Sequence, residues 1–253
     1  MNPIAIGLIV LVFVFGGAVL AMRLRDALPE DHFSKESKYT VKLGTGLIAA
    51  MTALVLGLMT ASAKSSFDAQ DALVKNAAAD ILTLDRVLAR YGPETKEIRD
   101  SIRRLLAIRL DEIWPADGSR PVRLDPSTVA SEFEGIVDRI HALSPHNETQ
   151  WRLQRRAMDI TEGLLKSRWL LSGGVSVSVM VPFLVALVFW LTITFMSFGL
   201  FAPRNATVIT VLLLCALSVS SVVFLILEMD NPFEGVIKVS DTPLRYALSH
   251  LGQ

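Results

Sequence analysis

A single cysteine in 253 residues rules out an intrachain disulfide and any metal cluster built on paired thiolates. That residue, Cys215, lies inside a long apolar run, where a small side chain of low polarity is expected to be buried. Charge of one sign is missing as well: 25 Lys and Arg balance 25 Asp and Glu, so the basic excess that a nucleic-acid surface requires is not there. No segment alternates apolar and polar residues with period two, which argues against a sheet. The motifs of common chemistry are also absent: no GxSxG elbow, no Walker loop, no HExxH pair and no dinucleotide fingerprint. The four histidines, His32, His141, His146 and His250, are scattered, and Ser144-Pro145 keeps His141 and His146 off a common helix face. The expectation is a protein that is not an enzyme and carries no resident organic cofactor.

What the sequence does have is apolar length. Hydrophobic residues make up 51% of the chain, and the mean hydropathy is +0.45. That excess is concentrated in four runs without Asp, Glu, Lys or Arg, at 4–22, 43–63, 170–201 and 206–227. A helix of about 20 apolar residues crosses the roughly 30 Å hydrocarbon layer of a bilayer. The expected fold is therefore all-α: a four-span transmembrane helical protein with a helical water-soluble insert between spans 2 and 3. Residues 1–63 carry spans 1 and 2, 64–169 the insert, 170–227 a hairpin of spans 3 and 4, and 228–253 a C-terminal tail. Run one lacks a preceding Lys or Arg and is too long for the core of a cleaved signal, so it reads as a retained span. Gly173-Gly174 and Pro182 fall within run three, and a kink is expected near Pro182.

Between the runs the pattern becomes amphipathic. Phe67, Val74, Ile81 and Leu88 recur every seven residues, with Ala77, Leu84 and Tyr91 offset by three, a bundle or coiled-coil seam. No Gly or Pro intervenes between Gly57 and Gly92, so span 2 is expected to continue into water as one helix until Gly92-Pro93 stops it. A second insert helix turns Ile98, Ile102, Leu105, Leu106, Leu110 and Ile113 inward. A third, opened by Asp125-Pro126, presents Val129, Phe133, Ile136, Val137, Ile140 and Leu143. Asn147 with Gln150 makes a capping-box-like start for a fourth, which carries Trp151, Met158, Leu164, Leu165 and Trp169 towards the membrane.

Four spans place both termini on the same side as the insert. Near span ends that side has Lys64, Lys75, Arg152, Arg155, Arg156, Lys166, Arg168, Lys238 and Arg245, nine cations. The short-loop side has Arg23, Arg25, Lys35, Lys38, Lys42 and Arg204, six cations. The positive-inside rule then favours a cytoplasmic insert and cytoplasmic termini.

Two features of the spans bear on function. Gly46, Ala50, Ala53, Gly57 and Ala61 recur at three and four residues along span 2, a stripe that either lets another helix approach closely or faces a conduit. No ionisable group lies within the runs, which disfavours proton-coupled transport. The polar residues of spans 3 and 4, Ser176, Ser178, Thr192, Thr194, Ser218, Ser220 and Ser221, are expected to bond carbonyls of their own helices. At the insert-side exits lie Asp68 and Asp71 after span 2 and Glu228, Asp230 and Glu234 after span 4. These carboxylates can hold a divalent cation, form a charged vestibule, or be solvated helix ends.

The stretch Gly46 to Asp80, GLIAAMTALVLGLMTASAKSSFDAQDALVKNAAAD, and VVFLILEMDNPFEGVIKV from Val222 to Val239 resemble the bacterial bestrophin-like family of membrane proteins. The D-x-P-F-x-G element at Asp230, Pro232, Phe233 and Gly235 is the most specific part of that resemblance. It implies a bacterial inner-membrane location and self-association in the lipid bilayer. By the similar arrangement of bestrophin anion channels, which are pentamers gated by cytoplasmic calcium, it also implies conduction of ions. Span 2 departs from those channels, with Ala, Leu, Met and Gly where they carry an aromatic-rich, proline-containing neck. The ion therefore stays open. A reading from another class is a non-conducting, membrane-anchored scaffold or sensor that offers the Phe67, Val74, Ile81 and Leu88 seam to a protein partner.

Overall fold

The computed structural model describes residues 2–25, 35–115, 126–170, 181–233 and 235–253, without the side chains of 126–131 and 169. Every regular element among them is a helix: α1 (Pro3–Leu24), α2 (Lys35–Tyr91), α3 (Lys96–Ile113), α4 (Pro126–His141), α5 (Glu148–Trp169), α6 (Val181–Phe201), α7 (Ala206–Met229) and α8 (Thr242–His250). A 3₁₀ turn, Pro93–Thr95, lies between α2 and α3. Four of these helices, α1, α2, α6 and α7, are long and apolar enough to cross a membrane. The chain divides into two compact units that meet at Ser66/Phe67 and Asn231/Pro232.

The first unit holds α1, the N-terminal part of α2, α6 and α7. Its core is Val10, Val14, Ala18 and Met22 of α1 against Leu187, Leu191 and Phe195 of α6 and Leu212, Ala216 and Val223 of α7. Glycine sets the spacing at this contact. A Cβ on Gly199 would lie 2.9 Å from the carbonyl carbon of Ala18 and 3.0 Å from its Cα, so α6 backbone rests directly on α1 backbone. Gly17 does the same in the other direction, with a Cβ there 3.0 Å from Thr192 Cγ2 and 3.2 Å from Met196 Cγ. Ser220 Oγ donates to the Gly7 carbonyl at 2.8 Å, giving the apolar packing a polar registration.

Two arginines close one end of this unit reciprocally. Arg25 donates to the Ala202 carbonyl at 3.0 Å, and Arg204 Nε donates to the Met22 carbonyl at 3.0 Å. Each satisfies a carbonyl that a helix C-terminus leaves without an intrahelical partner. Asn205 then caps α7 by accepting from Val208 N at 2.8 Å, which makes the α6–α7 connection a tight turn.

One local expectation needs correction here, and two fall on residues that are not described. Pro182 is the second described residue of α6, and the residues before it, across which a kink would show, lie outside the described ones. Gly173-Gly174 lies outside the described residues. Cys215 is exposed on α7 and not buried, because Leu212, Ala216 and Val223 occupy the inward face.

The second unit holds the rest of α2 with α3, α4, α5 and α8. Leu84 and Leu88 of α2, Ile98, Ile102, Leu106 and Leu110 of α3, Ile136 and Ile140 of α4, and Ala157, Ile160 and Leu164 of α5 form one core. Ala247 and Leu251 join it, so part of the tail after span 4 is packed inside this unit. Gly92, at φ +152, ends α2 in a region that side-chain-bearing residues rarely adopt. Asn147 caps α5 by accepting from Gln150 N at 2.8 Å, while Gln150 Oε1 accepts from His146 N at 2.8 Å. Trp151 is 53% exposed, with the Arg155 guanidinium 4.7 Å over its ring.

Among the described residues of this unit one ion pair has a buried carboxylate. Asp85, 1% exposed, accepts from Arg99 Nε at 2.7 Å and Arg99 Nη2 at 2.9 Å, and from the Gly252 backbone N–H at 3.3 Å. The hydrogen bond to Asp85 is the main reason that Arg99 holds its proton even more tightly than usual.

Candidate functional site

Helix α2 runs unbroken for 57 residues, about 85 Å at 1.5 Å per residue, far more than the hydrocarbon layer requires. Its apolar part is also the least covered of the four spans. Only 11% of that window is buried inside the chain, against 28% for each of α1, α6 and α7. The inward face is narrow: Thr45, Thr52 and Ala63 are buried, Val55, Leu56 and Met59 are partly buried, and Thr45 Oγ1 is 3.2 Å from Ser197 Oγ of α6.

The small-residue stripe lies on another face. Gly46, Ala50, Ala53, Gly57 and Ala61 are all exposed, and a Cβ added at Gly46 or Gly57 would meet nothing within 4 Å. Among the described residues the stripe therefore packs against no helix; the close glycine contacts belong to Gly7, Gly17 and Gly199 instead. Beside it runs a third face of large apolar residues, Leu43, Leu47, Met51, Leu54 and Leu58, exposed at 50% or more. Helical spacing thus gives α2 three faces: one inward, one small and one bulky.

The polar groups of the spans are mostly spent on their own helices. Thr192, Thr194, Ser218 and Ser221 donate to the carbonyl four residues back at 2.7 to 2.9 Å. Thr52 and Thr60 of α2 do the same at 2.7 and 2.8 Å. Ser220 is the exception, bonded to Gly7 of α1, and Ser176 and Ser178 lie outside the described residues.

The acidic residues are divided. Asp68 and Asp71 are in the second unit, where Asp71 accepts from Lys75 Nζ at 2.6 Å, an i,i+4 pair that occupies one of its oxygens. Glu228 is 2% exposed in the last turn of α7, and Asp230 is the residue that follows the helix, both in the first unit. Glu234 lies outside the described residues. Among the described residues no three His, Cys, Asp or Glu side chains come together in a way that can hold a metal ion.

The Pro-Phe-x-Gly part of the D-x-P-F-x-G element is built as a closed loop in the second unit. Val239 N–H donates to the Pro232 carbonyl at 2.8 Å across the loop. Gly235 takes φ +93, which only glycine adopts without strain. Trp114, at the C-terminal end of α3, fixes the loop twice: Nε1 donates to the Val239 carbonyl at 3.0 Å, and the Phe233 ring meets the indole edge to face at 5.7 Å. The sequence offers a run of turn residues but nothing that links it to Trp114, more than a hundred positions away. On the N-terminal side of the element, Asn231 Nδ2 donates to the Leu227 carbonyl at 3.1 Å and ties the end of α7.

A family model described as a Bestrophin-like domain matches residues 12–244. Variant forms of a bacterial bestrophin homologue from Klebsiella pneumoniae are similar in structure. One, 16% identical, matches with a TM-score of 0.65 over 100% of this chain and 99% of its own. A second, 17% identical, has a TM-score of 0.61 over 96% and 99%, and a third, 16% identical, has 0.60 over 97% and 99%. Among curated proteins no sequence matches. At these identities the structural likeness concerns the fold.

Proposed function

The chain belongs to the bestrophin-like family of membrane proteins, and from that membership we propose that it is a homo-oligomeric ion channel in which α2 stands nearest the symmetry axis. The observation that carries the proposal is the uncovered membrane segment of α2, with only 11% of its apolar window buried and two unlike faces side by side. An unlike pair of faces suits a heterologous contact, Leu47, Met51, Leu54 and Leu58 of one copy set against the Gly46, Ala50, Ala53, Gly57 and Ala61 stripe of the next. Such contacts close into a ring when the rotation between copies closes.

A ring of α2 helices without an ionisable residue in 43–63 leaves a narrow apolar conduit, which gates by dewetting. Asp68 is exposed a little over one turn beyond that segment, with exposed Lys64 between, so the mouth carries charge of both signs in each copy. The permeant ion is set by the balance of that charge and the conduit width. The multi-pass membrane setting agrees with a bacterial inner membrane, and nine cations against six favour the insert and termini on the cytoplasmic side. The scaffold reading has less to stand on, since Val74, Leu84 and Leu88 of the seam are buried within the chain itself.

Native mass spectrometry of the particle in nanodiscs, followed by ion flux from liposomes, tests the proposal. A ring of four or more copies with flux is the expected result, and Gly57→Leu should abolish flux or disrupt the ring. A monomer or dimer without flux would overturn the channel reading and leave the membrane anchor.

A further inference from the structure

A groove of about 360 Å³ opens within the second unit, between α2 and α8. Thr83, Arg86 and Arg90 line it from α2 and Tyr246 and His250 from α8, with Val87 as an aliphatic floor. Its volume is near the lower end of small-molecule sites, about 300 to 1,000 Å³. Arg86 and Arg90 are one turn apart on one helix face, an arrangement in which like charges repel. Neither guanidinium makes a hydrogen bond or ion pair with another described residue, whereas Arg99, Arg109 and Arg245 each pair with a carboxylate. Among the described residues no acidic side chain lines the groove.

The opposite wall is flat. The rings of Tyr246 and His250 stack at 4.1 Å between centroids with a 32° tilt. His250 Nδ1 lies 2.9 Å from the Tyr246 carbonyl oxygen. Ser249 Oγ is also 2.9 Å from Nδ1, so these two contacts hold the ring by its Nδ1 side. Two unpaired guanidinium forks, a hydroxyl-bearing aromatic wall and the lack of any carboxylate make a site of one sign.

We propose that this groove binds a small oxyanion of the phosphate class, held by Arg86 and Arg90 as paired forks, with the Tyr246–His250 stack beside it. Phosphate suits the forks because each guanidinium can present two parallel N–H donors to two of its oxygens. Chloride, a single spherical acceptor, gains nothing from that geometry. The phosphate can be carried by a soluble ester or by a lipid headgroup; both present the same group. The assignment is independent of the channel reading, since it uses only residues of the second unit.

The test is titration calorimetry of the full-length protein in detergent with inorganic phosphate at constant ionic strength, chloride replacing phosphate in the reference. Saturable binding at about millimolar affinity is expected, with the Arg86→Gln, Arg90→Gln double variant weaker by roughly tenfold or more. Arg103→Gln, an exposed guanidinium on α3 outside the groove, should bind as the wild type does, and circular dichroism should show unchanged helix content in all variants. Glycerol phosphate binding in detergent would identify a soluble ester as the source. Binding seen only as stabilisation in phosphatidate nanodiscs, and lost in the double variant, would identify a headgroup. Unchanged binding by the double variant, equal loss in Arg103→Gln, or equal competition by chloride would overturn the proposal.

Discussion

Replacing Gly199 by alanine is expected to loosen the α1–α6 contact, and replacing Gly57 by alanine is not. At Gly199 the added methyl would run into the Ala18 carbonyl oxygen and stand 2.9 Å and 3.0 Å from two further backbone atoms of Ala18, both carbons. Carbon pairs settle at about 3.5 to 4.0 Å, so the helices must part by about 0.5 to 1 Å. The obstacle is backbone, which cannot rotate away, and its neighbours Val14, Ala18 and Phe195 are at most 5% exposed, so the displacement propagates into packed side chains. Overpacking of this kind costs about 1 to 3 kcal/mol. Alanine returns about 1 kcal/mol through helix propensity, and a clash with an immovable carbonyl stands at the upper end of that range, so the net loss is about 2 kcal/mol. At Gly57 the methyl meets nothing within 4 Å, and only the propensity gain of about 1 kcal/mol applies within one chain. Thermal unfolding in detergent, read together with particle mass, separates the two: at about 2 to 4 °C per kcal/mol, Gly199→Ala should melt several degrees lower. A Gly199→Ala protein melting at or above wild type would refute the close backbone approach. A Gly57→Ala protein melting lower as a monomer would refute the exposure of the stripe.

Asp85→Ala should cost about 3 to 5 kcal/mol, because it strands the Arg99 guanidinium beside a buried cavity. Amide hydrogen exchange at Gly252, whose N–H loses its acceptor, should quicken in the same variant. The Tyr91 hydroxyl is buried without a hydrogen-bond partner, and burial, reinforced by Glu94, raises its pKa above the usual tyrosine value. The unfolded phenol therefore ionises first, and the Tyr91 contribution to stability is constant below about pH 10 and declines as pH rises beyond it. Tyr91→Phe should remove that alkaline decline and at neutral pH be neutral or stabilising by up to about 1 kcal/mol, measurable as denaturation midpoints at about pH 8 and pH 11. Trp114→Phe keeps an aromatic ring but leaves the Val239 carbonyl without its indole donor. A loss of about 1 kcal/mol and faster exchange of the Val239 amide are expected, whereas unchanged exchange would show that the ring contact alone holds the loop.

The parts of this structure legible in the sequence are those decided within a few residues. Apolar runs make the membrane-length helices because each backbone group is satisfied inside its own helix. The lack of Gly and Pro between Gly57 and Gly92 lets α2 pass from apolar to amphipathic sequence without a break, and Gly92 ends it. Asn147 and Asn205 cap the helices that follow them through their own side chains. Of the candidate site, the small-residue stripe could be picked out as a pattern, but its spacing is the same for a packed face and an open one.

What the sequence by itself determined is therefore the all-helical class, the apolar spans and the helix ends, all local properties of the chain. The tertiary structure alone decided that α1 is clasped between α6 and α7 through Gly7, Gly17 and Gly199, which leaves the stripe on α2 uncovered. It also decided that Trp114 holds the Pro232 to Val239 loop and that Asp85 joins Arg99 to the C-terminal end. The physical reason is the same in each case. Helix periodicity specifies that a face exists, whereas which face is covered depends on partners tens to hundreds of residues away, whose approach is set by the volume and polarity of both surfaces at once.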